Sequence, residues 1–225
     1  MIVRVYCTFI VAAVLVGCAS EPTKKVLDVN TSGFLSDYSI LRQGSEGEAA
    51  LVYWDENANF SAYDKIIIDP VTIWLAKGSA LNGVSPEERT QLANEFHAAV
   101  HQALSEDFQI VDQPGPGTMR VRVALTDAQK SNPTMDTIST YIPQARLIST
   151  IATLGSDTAA FVGEASAEGE VRDTQTGKLL AAGVDRRAGS KSLGDDTFDA
   201  WGDVRQAFEA WAKQFSANLR KRRGG

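Results

Sequence analysis

The chain has 225 residues, of which 44% are hydrophobic and 22% are charged, and its formal net charge is −6. This length suits one folded domain whose core is large enough to be stable without cross-links. An acidic chain lacks the basic surface that nucleic acids require, so we exclude nucleic acid as a partner. The two cysteines, Cys7 and Cys18, precede the predicted folded domain, which excludes a disulfide framework and thiolate chemistry within it.

The first predicted element is a lipoprotein signal peptide over residues 1–17. Arg4 precedes an apolar run of about a dozen residues, which is shorter than the roughly 20 that a membrane-spanning helix needs. The run ends in Leu15-Val16-Gly17-Cys18, which resembles the bacterial lipobox, where small residues precede a cysteine that is diacylated and becomes the mature N-terminus. We therefore expect lipidation at Cys18. Ala19 follows it, and by resemblance to the lipoprotein sorting rule this favours a periplasm-facing position on the outer membrane.

The polar segment after the cysteine predicts a lipidated, flexible tether over residues 18–31, roughly 20 Å from end to end as a coil. The folded domain is predicted over residues 32–223. Its first strong element is a buried strand over residues 65–75, kinked at Asp69-Pro70. A continuous run of β-branched residues is typical of a central strand.

A long helix is predicted from Ser85 to about Glu106, because Ser85 is a good N-cap, Pro86 suits the first turn and Glu88 completes a capping box. A short strand over residues 108–112 follows. Residues 118–126 alternate apolar and polar side chains, which predicts a second strand. We interpret residues 127–142 as an irregular loop and Pro143 as the start of a helix.

The strongest hairpin signal lies between residues 165 and 186, where two alternating segments flank a turn at residues 173–177 that ends in glycine. The chain ends with a helix from about Thr197, whose aromatic stripe we assign to core packing rather than to a partner groove. This order of elements predicts the α/β class. We expect a single-domain sandwich of a mixed, largely antiparallel β-sheet with packed helices, preceded by a signal peptide and flexible tether.

Several short segments, taken in order, resemble the DUF3313 family of bacterial lipoproteins over about residues 32–220. The segments are Gly33-Phe34-Leu35-Ser36-Asp37-Tyr38-Ser39, Phe60 with Tyr63, Ile68-Asp69-Pro70-Val71 with Trp74, Tyr141-Ile142-Pro143, Val162-Gly163-Glu164-Ala165, residues 170–177 and residues 185–189. The resemblance implies an envelope lipoprotein of unassigned molecular function. It supplies no catalytic residues.

The only two histidines, His97 and His101, lie four residues apart on the first predicted helix. This spacing can place two imidazoles on one metal ion, so they are the candidate metal ligands. The segment lacks the glutamate that a metalloprotease places after its first histidine, and a third ligand would have to come from another acidic residue. The alternative is that both histidines lie beside or opposite the apolar face and bind nothing.

Three arginines near the hairpin, Arg172, Arg186 and Arg187, are candidates for anion or partner contact, because guanidinium groups suit carboxylates and phosphates. The alternative is a solvated strand edge whose charge is balanced by Asp173 and Asp185. No serine lies in a nucleophile-elbow pattern. We therefore predict no catalytic residues and no cofactor.

Together these features predict a lipid-anchored, non-enzymatic envelope protein that binds another envelope protein or peptidoglycan. One alternative is a metal-dependent module that uses His97 and His101. Another is a carrier of small apolar ligands, which would require an enclosed apolar pocket.

Overall fold

One mixed β-sheet with helices packed on it carries the fold in the computed structural model, which describes residues 23–25, 31–131, 163–189 and 199–224. The strand order is β2-β3-β9-β8-β7-β4-β6, with β1 also paired to β9 and β5 to β7. The strands are β1 Thr23–Lys25, β2 Arg42–Gln43, β3 Leu51–Trp54, β4 Lys65–Ile68, β5 Thr72–Ile73, β6 Gln109–Ile110, β7 Thr118–Gln129, β8 Glu164–Asp173 and β9 Leu179–Gly189, and the helices are α1 Pro86–Ser105 and α2 Gly202–Arg223. The predicted α/β sandwich of a mixed, largely antiparallel sheet is confirmed.

The three long strands β7, β8 and β9 form the antiparallel centre of the sheet. The predicted strand over residues 118–126 is confirmed, but it continues through a bulge between Leu125 and Asp127 to Gln129. The predicted loop over residues 127–142 is therefore wrong at its start, because Ala128 is fully buried in the core. The remainder of that loop and the helix predicted from Pro143 lie outside the described residues.

The predicted strand over residues 65–75 is present as two strands, β4 and β5, which both pair in parallel with β7. The interruption falls at Asp69-Pro70, where proline offers no backbone N–H to continue a ladder. Ile66 and Val71 are buried in the core.

The two helices lie against the same face of the sheet and against each other. Helix α1 begins as predicted, with the Ser85 hydroxyl oxygen accepting a hydrogen bond from Glu88 N at 3.2 Å. Phe96 stacks on Phe208 of α2 with 4.5 Å between ring centroids, so the aromatic stripe of the last helix belongs to the core. Helix α2 begins at Gly202, later than predicted.

The opposite face of the sheet is covered in part by a segment that sequence patterns did not assign. Phe34 and Leu35 pack there in a second apolar cluster with Val184. Ser32 N and the Tyr38 hydroxyl donate hydrogen bonds to the carboxylate of Glu168, at 2.6 and 2.5 Å. Burial and the hydrogen bond to this carboxylate raise the pKa of Tyr38.

The segment predicted as a flexible tether, residues 18–31, contains a short strand. Residues 23–25 form β1, which pairs with the end of β9 in the register Thr23 to Gly189. The backbone hydrogen-bonding groups at the end of β9 offer these three residues a partner that local polarity does not reveal. The tether over residues 18–31 stays a prediction.

The β8–β9 hairpin is confirmed, and its turn is organised by Asp173. The carboxylate accepts hydrogen bonds from Thr176 N at 2.7 Å, Gln175 N at 3.1 Å and the Tyr63 hydroxyl at 3.0 Å. Burial opposes ionisation of Asp173, but these hydrogen bonds outweigh it and hold its pKa below the usual value. Burial, together with the neighbouring carboxylate, raises the pKa of Tyr63 to about 12.

We expect Asp173→Ala to lower the free energy of unfolding by about 1–2 kcal/mol at neutral pH, because the turn loses its charged acceptor. Because the pKa of Asp173 is lower in the folded than in the unfolded protein, its ionised carboxylate stabilises the fold at pH values above the unfolded-state pKa. This stabilisation is lost as the pH falls through the folded-state pKa. The difference between wild type and variant should therefore shrink as the pH falls below the ordinary pKa of an aspartate, as measured by urea unfolding across pH. Glu209→Ala in an exposed helical pair is the control, and a difference that does not change as the solution is acidified would contradict the prediction.

Candidate functional site

The candidate site is an apolar cavity between the sheet and the two helices. Its volume is about 130 Å³. The sheet side is lined by β3, β7, β8 and β9, and the helix side by both α1 and α2. The main apolar lining residues are Val52, Trp54, Val121, Val123, Ala167, Val171, Ala181, Phe96, Val100, Trp211, Ala212 and Phe215.

Two glycines, Gly169 of β8 and Gly183 of β9, create the space on the sheet side. They are direct cross-strand partners, and Gly169 also pairs with Val123 of β7. These three residues keep accessible surface in the middle of the sheet, although many of their neighbours along the strands are buried. Glycine in a strand interior removes a side chain that would otherwise fill the space.

Asp185 forms a polar wall beside the cavity and is itself buried. Its carboxylate accepts hydrogen bonds from Ala50 N and from Trp211 Nε1, both at 2.8 Å. Arg187, two residues along the same strand, is also buried and places its Nε 3.4 Å from the carboxylate of Asp185. Gln214 of α2 accepts a further hydrogen bond from Arg187.

The loop between β2 and β3 lies at the rim of the cavity and is held to α2. Asn218 donates a hydrogen bond to Gly47 O at 2.7 Å, and the guanidinium of Arg222 lies 3.6 Å from Glu48. Burial would raise the pKa of Glu48, but hydrogen bonds from Ser45 N and the Arg42 side chain and the charge of Arg222 outweigh it and lower the pKa.

The lining of the cavity is mainly apolar. Among the described residues, no histidine, cysteine, serine or lysine lines the cavity. Each acid in its lining is engaged in a hydrogen bond or an ion pair within the fold; these acids are Glu48, Glu168, Glu170 and Asp185. The cavity is therefore suited to hold an apolar molecule of small size.

The two histidines predicted as metal ligands lie side by side on α1. Their ring centroids are 6.3 Å apart, with His97 half-buried and His101 exposed. In the described part of the chain, no group of three or more histidine, cysteine or acidic residues is arranged to hold a metal ion. Neither histidine lines the cavity.

The structure does not bring the three predicted arginines together. Arg172 pairs with Glu170 at 2.8 Å near the turn, and Arg186 pairs with Glu164 at 2.5 Å at the other end of the hairpin. Arg187 is only 3% exposed and faces the helices. Neighbouring residues of a strand point to opposite faces, which separates Arg186 from Arg187.

Cys18, the predicted lipidation site, lies outside the described residues. Across the described ranges, no helix is both long and apolar enough to cross a membrane.

Sequence reasoning missed the cavity and most of its residues. Gly169 and Gly183 are each visible as a glycine within a predicted strand, which is a signal for close approach or missing side-chain volume. That they face one another depends on the register of the hairpin, and that they face the helices depends on the tertiary fold. Trp54 lies in β3, a strand that was not predicted.

Solved structures with a similar arrangement come from several bacteria. The PelC dodecamer from Paraburkholderia phytofirmans is 9% identical, with 72% of this chain and 95% of that chain covered and a TM-score of 0.41. A DUF330 protein from Xanthomonas campestris is 7% identical, with coverages of 74% and 92% and a TM-score of 0.39. A DUF4136 family protein from Bacteroides thetaiotaomicron is 11% identical, with coverages of 75% and 94% and a TM-score of 0.36. At such low identities and scores, we draw no functional conclusion from them.

No curated protein matches this chain with significance. The sequence model of the family described as "Protein of unknown function (DUF3313)" matches residues 30–215, which is most of the chain. The resemblance seen in the short segments is therefore confirmed, and the chain belongs to the DUF3313 family.

Proposed function

We propose that this protein is a lipid-anchored protein of the bacterial envelope, whose domain faces the periplasm from the outer membrane and binds a partner without catalysing a reaction. The observation that carries the proposal is the compact order of Arg4, an apolar run, Gly17 and Cys18. Several acyl chains on one cysteine would hold the domain on a bilayer almost permanently, since each buried methylene contributes about 0.8 kcal/mol.

The position of β1 supports a defined orientation for such an anchored domain. Thr23 pairs with Gly189 at the end of β9, and Thr23 follows Cys18 by only five positions. Five extended residues span at most about 18 Å. In the proposal, the end of the sheet at Gly189 therefore stays close to the membrane.

The opposite end of the domain then reaches away from the membrane. Helix α2 starts beside the end of β7, where Ser131 N donates to Ala200 O at 2.9 Å, and it has 22 residues. A helix of this length spans about 33 Å. The turn between β8 and β9 lies at this far end, which we propose as the end that meets an envelope protein or peptidoglycan.

Photo-crosslinking in living cells tests this proposal with two exposed glutamines as matched positions. Gln175 lies in the far turn, and Gln129 lies at the end of β7 near the proposed anchor. A crosslinking residue at Gln175 is expected to capture an envelope protein or peptidoglycan as an adduct of defined mass, whereas one at Gln129 captures lipid. Only diffuse products at Gln175, without a defined adduct, would contradict partner binding at this end.

A second candidate function, the holding of a small apolar ligand, is supported by the cavity under Gly169 and Gly183. The volume of about 130 Å³ approaches that of dry cavities of about 150 Å³ that bind benzene. Binding of benzene to the full chain, lost when the cavity is filled by Ala212→Val, is the test of this second function, and no binding to wild type would contradict it.

A further inference from the structure

Three arginines lie together on the face of the sheet opposite the helices. Arg120 and Arg122 of β7 alternate with core residues of the helix side, so their side chains point to the other face. Arg172 of β8 is the direct cross-strand partner of Arg120 and shares that face. These three residues form the arginine row, and their side chains are between 32% and 44% exposed. The row ends beside the β8–β9 turn, where Arg172 donates a hydrogen bond to Gly177 O at 3.1 Å.

Arg120 and Arg172 form a like-charge pair that the fold compensates only in part. Like charges directly opposite one another on adjacent strands destabilise a sheet. Glu170 relieves part of this repulsion, because its carboxylate accepts hydrogen bonds from Arg122 at 2.6 Å and from Arg172 at 2.8 Å. Among the described residues, the only acid paired with Arg120 is Asp69, and their closest N and O atoms are 3.6 Å apart, beyond hydrogen-bond distance. An acidic ligand at this place would supply the missing compensation.

The fold orders these guanidinium groups and leaves most of their donors available to a ligand. Glu170 is only 4% exposed and fixes both Arg122 and Arg172, and the guanidinium of Arg122 also lies 5.1 Å from the ring centroid of Phe34. A guanidinium has five N–H donors. Within the described part of the chain, hydrogen bonds use one donor of Arg122, two of Arg172 and none of Arg120. Side chains ordered in advance lose less conformational entropy when they bind.

Neighbouring acids do not neutralise the arginine row. Its three guanidinium groups pair with two carboxylates, those of Asp69 and Glu170. The next acid of this face along β8, Glu168, is only 1% exposed and accepts hydrogen bonds from the N-terminal segment. The carboxylate of Asp173 accepts hydrogen bonds within the turn. The row is therefore a local excess of positive charge on a chain whose net charge is −6.

We propose that the arginine row binds an extended acidic segment of a partner protein, with aspartate or glutamate at alternate positions. The inference rests on the proposed function, because the row adjoins the turn at which we place the partner, and it names the chemical class of that partner. Alternate side chains of an extended chain lie about 6.5–7 Å apart on one face, and Arg120 and Arg122 have the same spacing along β7. The planar fork of a guanidinium matches a carboxylate with two parallel hydrogen bonds.

Binding of two isomeric peptides to the full chain tests the proposed spacing. The probe is acetyl-Ala-Asp-Ala-Asp-Ala-amide with a neutral fluorophore, and the comparison peptide is acetyl-Ala-Asp-Asp-Ala-Ala-amide with the same label. The protein is held in nanodiscs of zwitterionic lipid at low salt, where charge interactions are least screened, and binding is measured by fluorescence anisotropy. We expect the first peptide to bind roughly 2- to 5-fold more tightly, because only its two carboxylates lie on one face of an extended chain.

Two substitutions change the charge of the row in opposite directions. Arg120→Gln should weaken binding of the first peptide roughly 2- to 5-fold, and Asp69→Asn should strengthen it, because it removes the carboxylate that competes for Arg120. Both side chains are at least 30% exposed, so both variants should fold. Arg220→Gln is the matched control, since Arg220 of α2 is also half-exposed and paired with one acid but lies on the helix side. It should leave binding unchanged.

No binding of either peptide to wild type, or equal binding of the two, would overturn the inference. So would binding that Arg120→Gln leaves unchanged or that Arg220→Gln weakens equally. The photo-crosslinking at Gln175 separates this failure from failure of the proposed function. A defined adduct at Gln175 without peptide binding overturns the acidic partner class alone, whereas the lack of a defined adduct contradicts the proposed function itself.

Discussion

Replacing Asp185 with alanine is expected to lower the free energy of unfolding by about 3–5 kcal/mol. The variant leaves Arg187 buried without this carboxylate, and it removes the acceptor of two buried donors, Ala50 N and Trp211 Nε1. Domains of this kind are stable by about 5–15 kcal/mol, so the loss is a large share of the total. Urea unfolding of wild type and variant measures it directly.

Two further variants distinguish the loss of the buried ion pair from a general effect of removing a charged side chain. Lys213→Ala breaks an exposed pair with Glu209 and should change stability by less than about 0.5 kcal/mol. The double variant Asp185→Leu with Arg187→Met should lose less than Asp185→Ala alone, because the buried guanidinium is removed together with the carboxylate that it pairs with. A loss below about 1 kcal/mol in Asp185→Ala would contradict the structural role assigned to this pair.

Replacing Cys18 with alanine is expected to abolish lipidation and to remove the protein from the outer-membrane fraction. The thiol of Cys18 is the proposed acceptor of the diacylglyceryl group, and alanine has no atom that can accept it. The measurement is incorporation of labelled palmitate together with separation of inner and outer membranes on a density gradient.

The chain provides a matched control, because Cys7 lies within the predicted signal peptide. Cys7→Ala should keep both the label and the outer-membrane position. Palmitate incorporation that persists in Cys18→Ala, or is lost in Cys7→Ala, would refute the assignment of the lipobox.

Local signals in the sequence were sufficient for the elements whose geometry is set within a few residues. Helix α1 begins at Pro86 because Ser85 caps it, and the β8–β9 turn forms because Asp173 binds the next backbone N–H groups. Gly177 adopts the left-handed backbone conformation, with φ of 72°, that ends this turn. Such interactions do not depend on the rest of the fold.

Elements that depend on distant partners could not be predicted in the same way. Glu168 occupies a polar position of an alternating strand, yet it is only 1% exposed because Ser32 and Tyr38 cover it from the N-terminal segment. The short strands β2 and β3 have little periodicity of their own, and β3 exists through its pairing with β9.

The candidate site has one feature that local strand geometry predicts and one that depends on distant parts of the chain. The separation of Arg186 from Arg187 follows from strand geometry, so the alternation alone argues against grouping them. The cavity instead depends on the register that places Gly169 opposite Gly183 and on helices that approach from elsewhere in the chain. Neither condition can be derived from residues near the glycines.

The most direct test of the central claim, that this domain is anchored by lipid, is mass spectrometry of the N-terminal peptide of the native mature protein. We predict that the mature chain begins at Cys18 and that this residue carries a thioether-linked diacylglyceryl group. A mature chain that begins at another residue, or a Cys18 that carries no lipid, would contradict it.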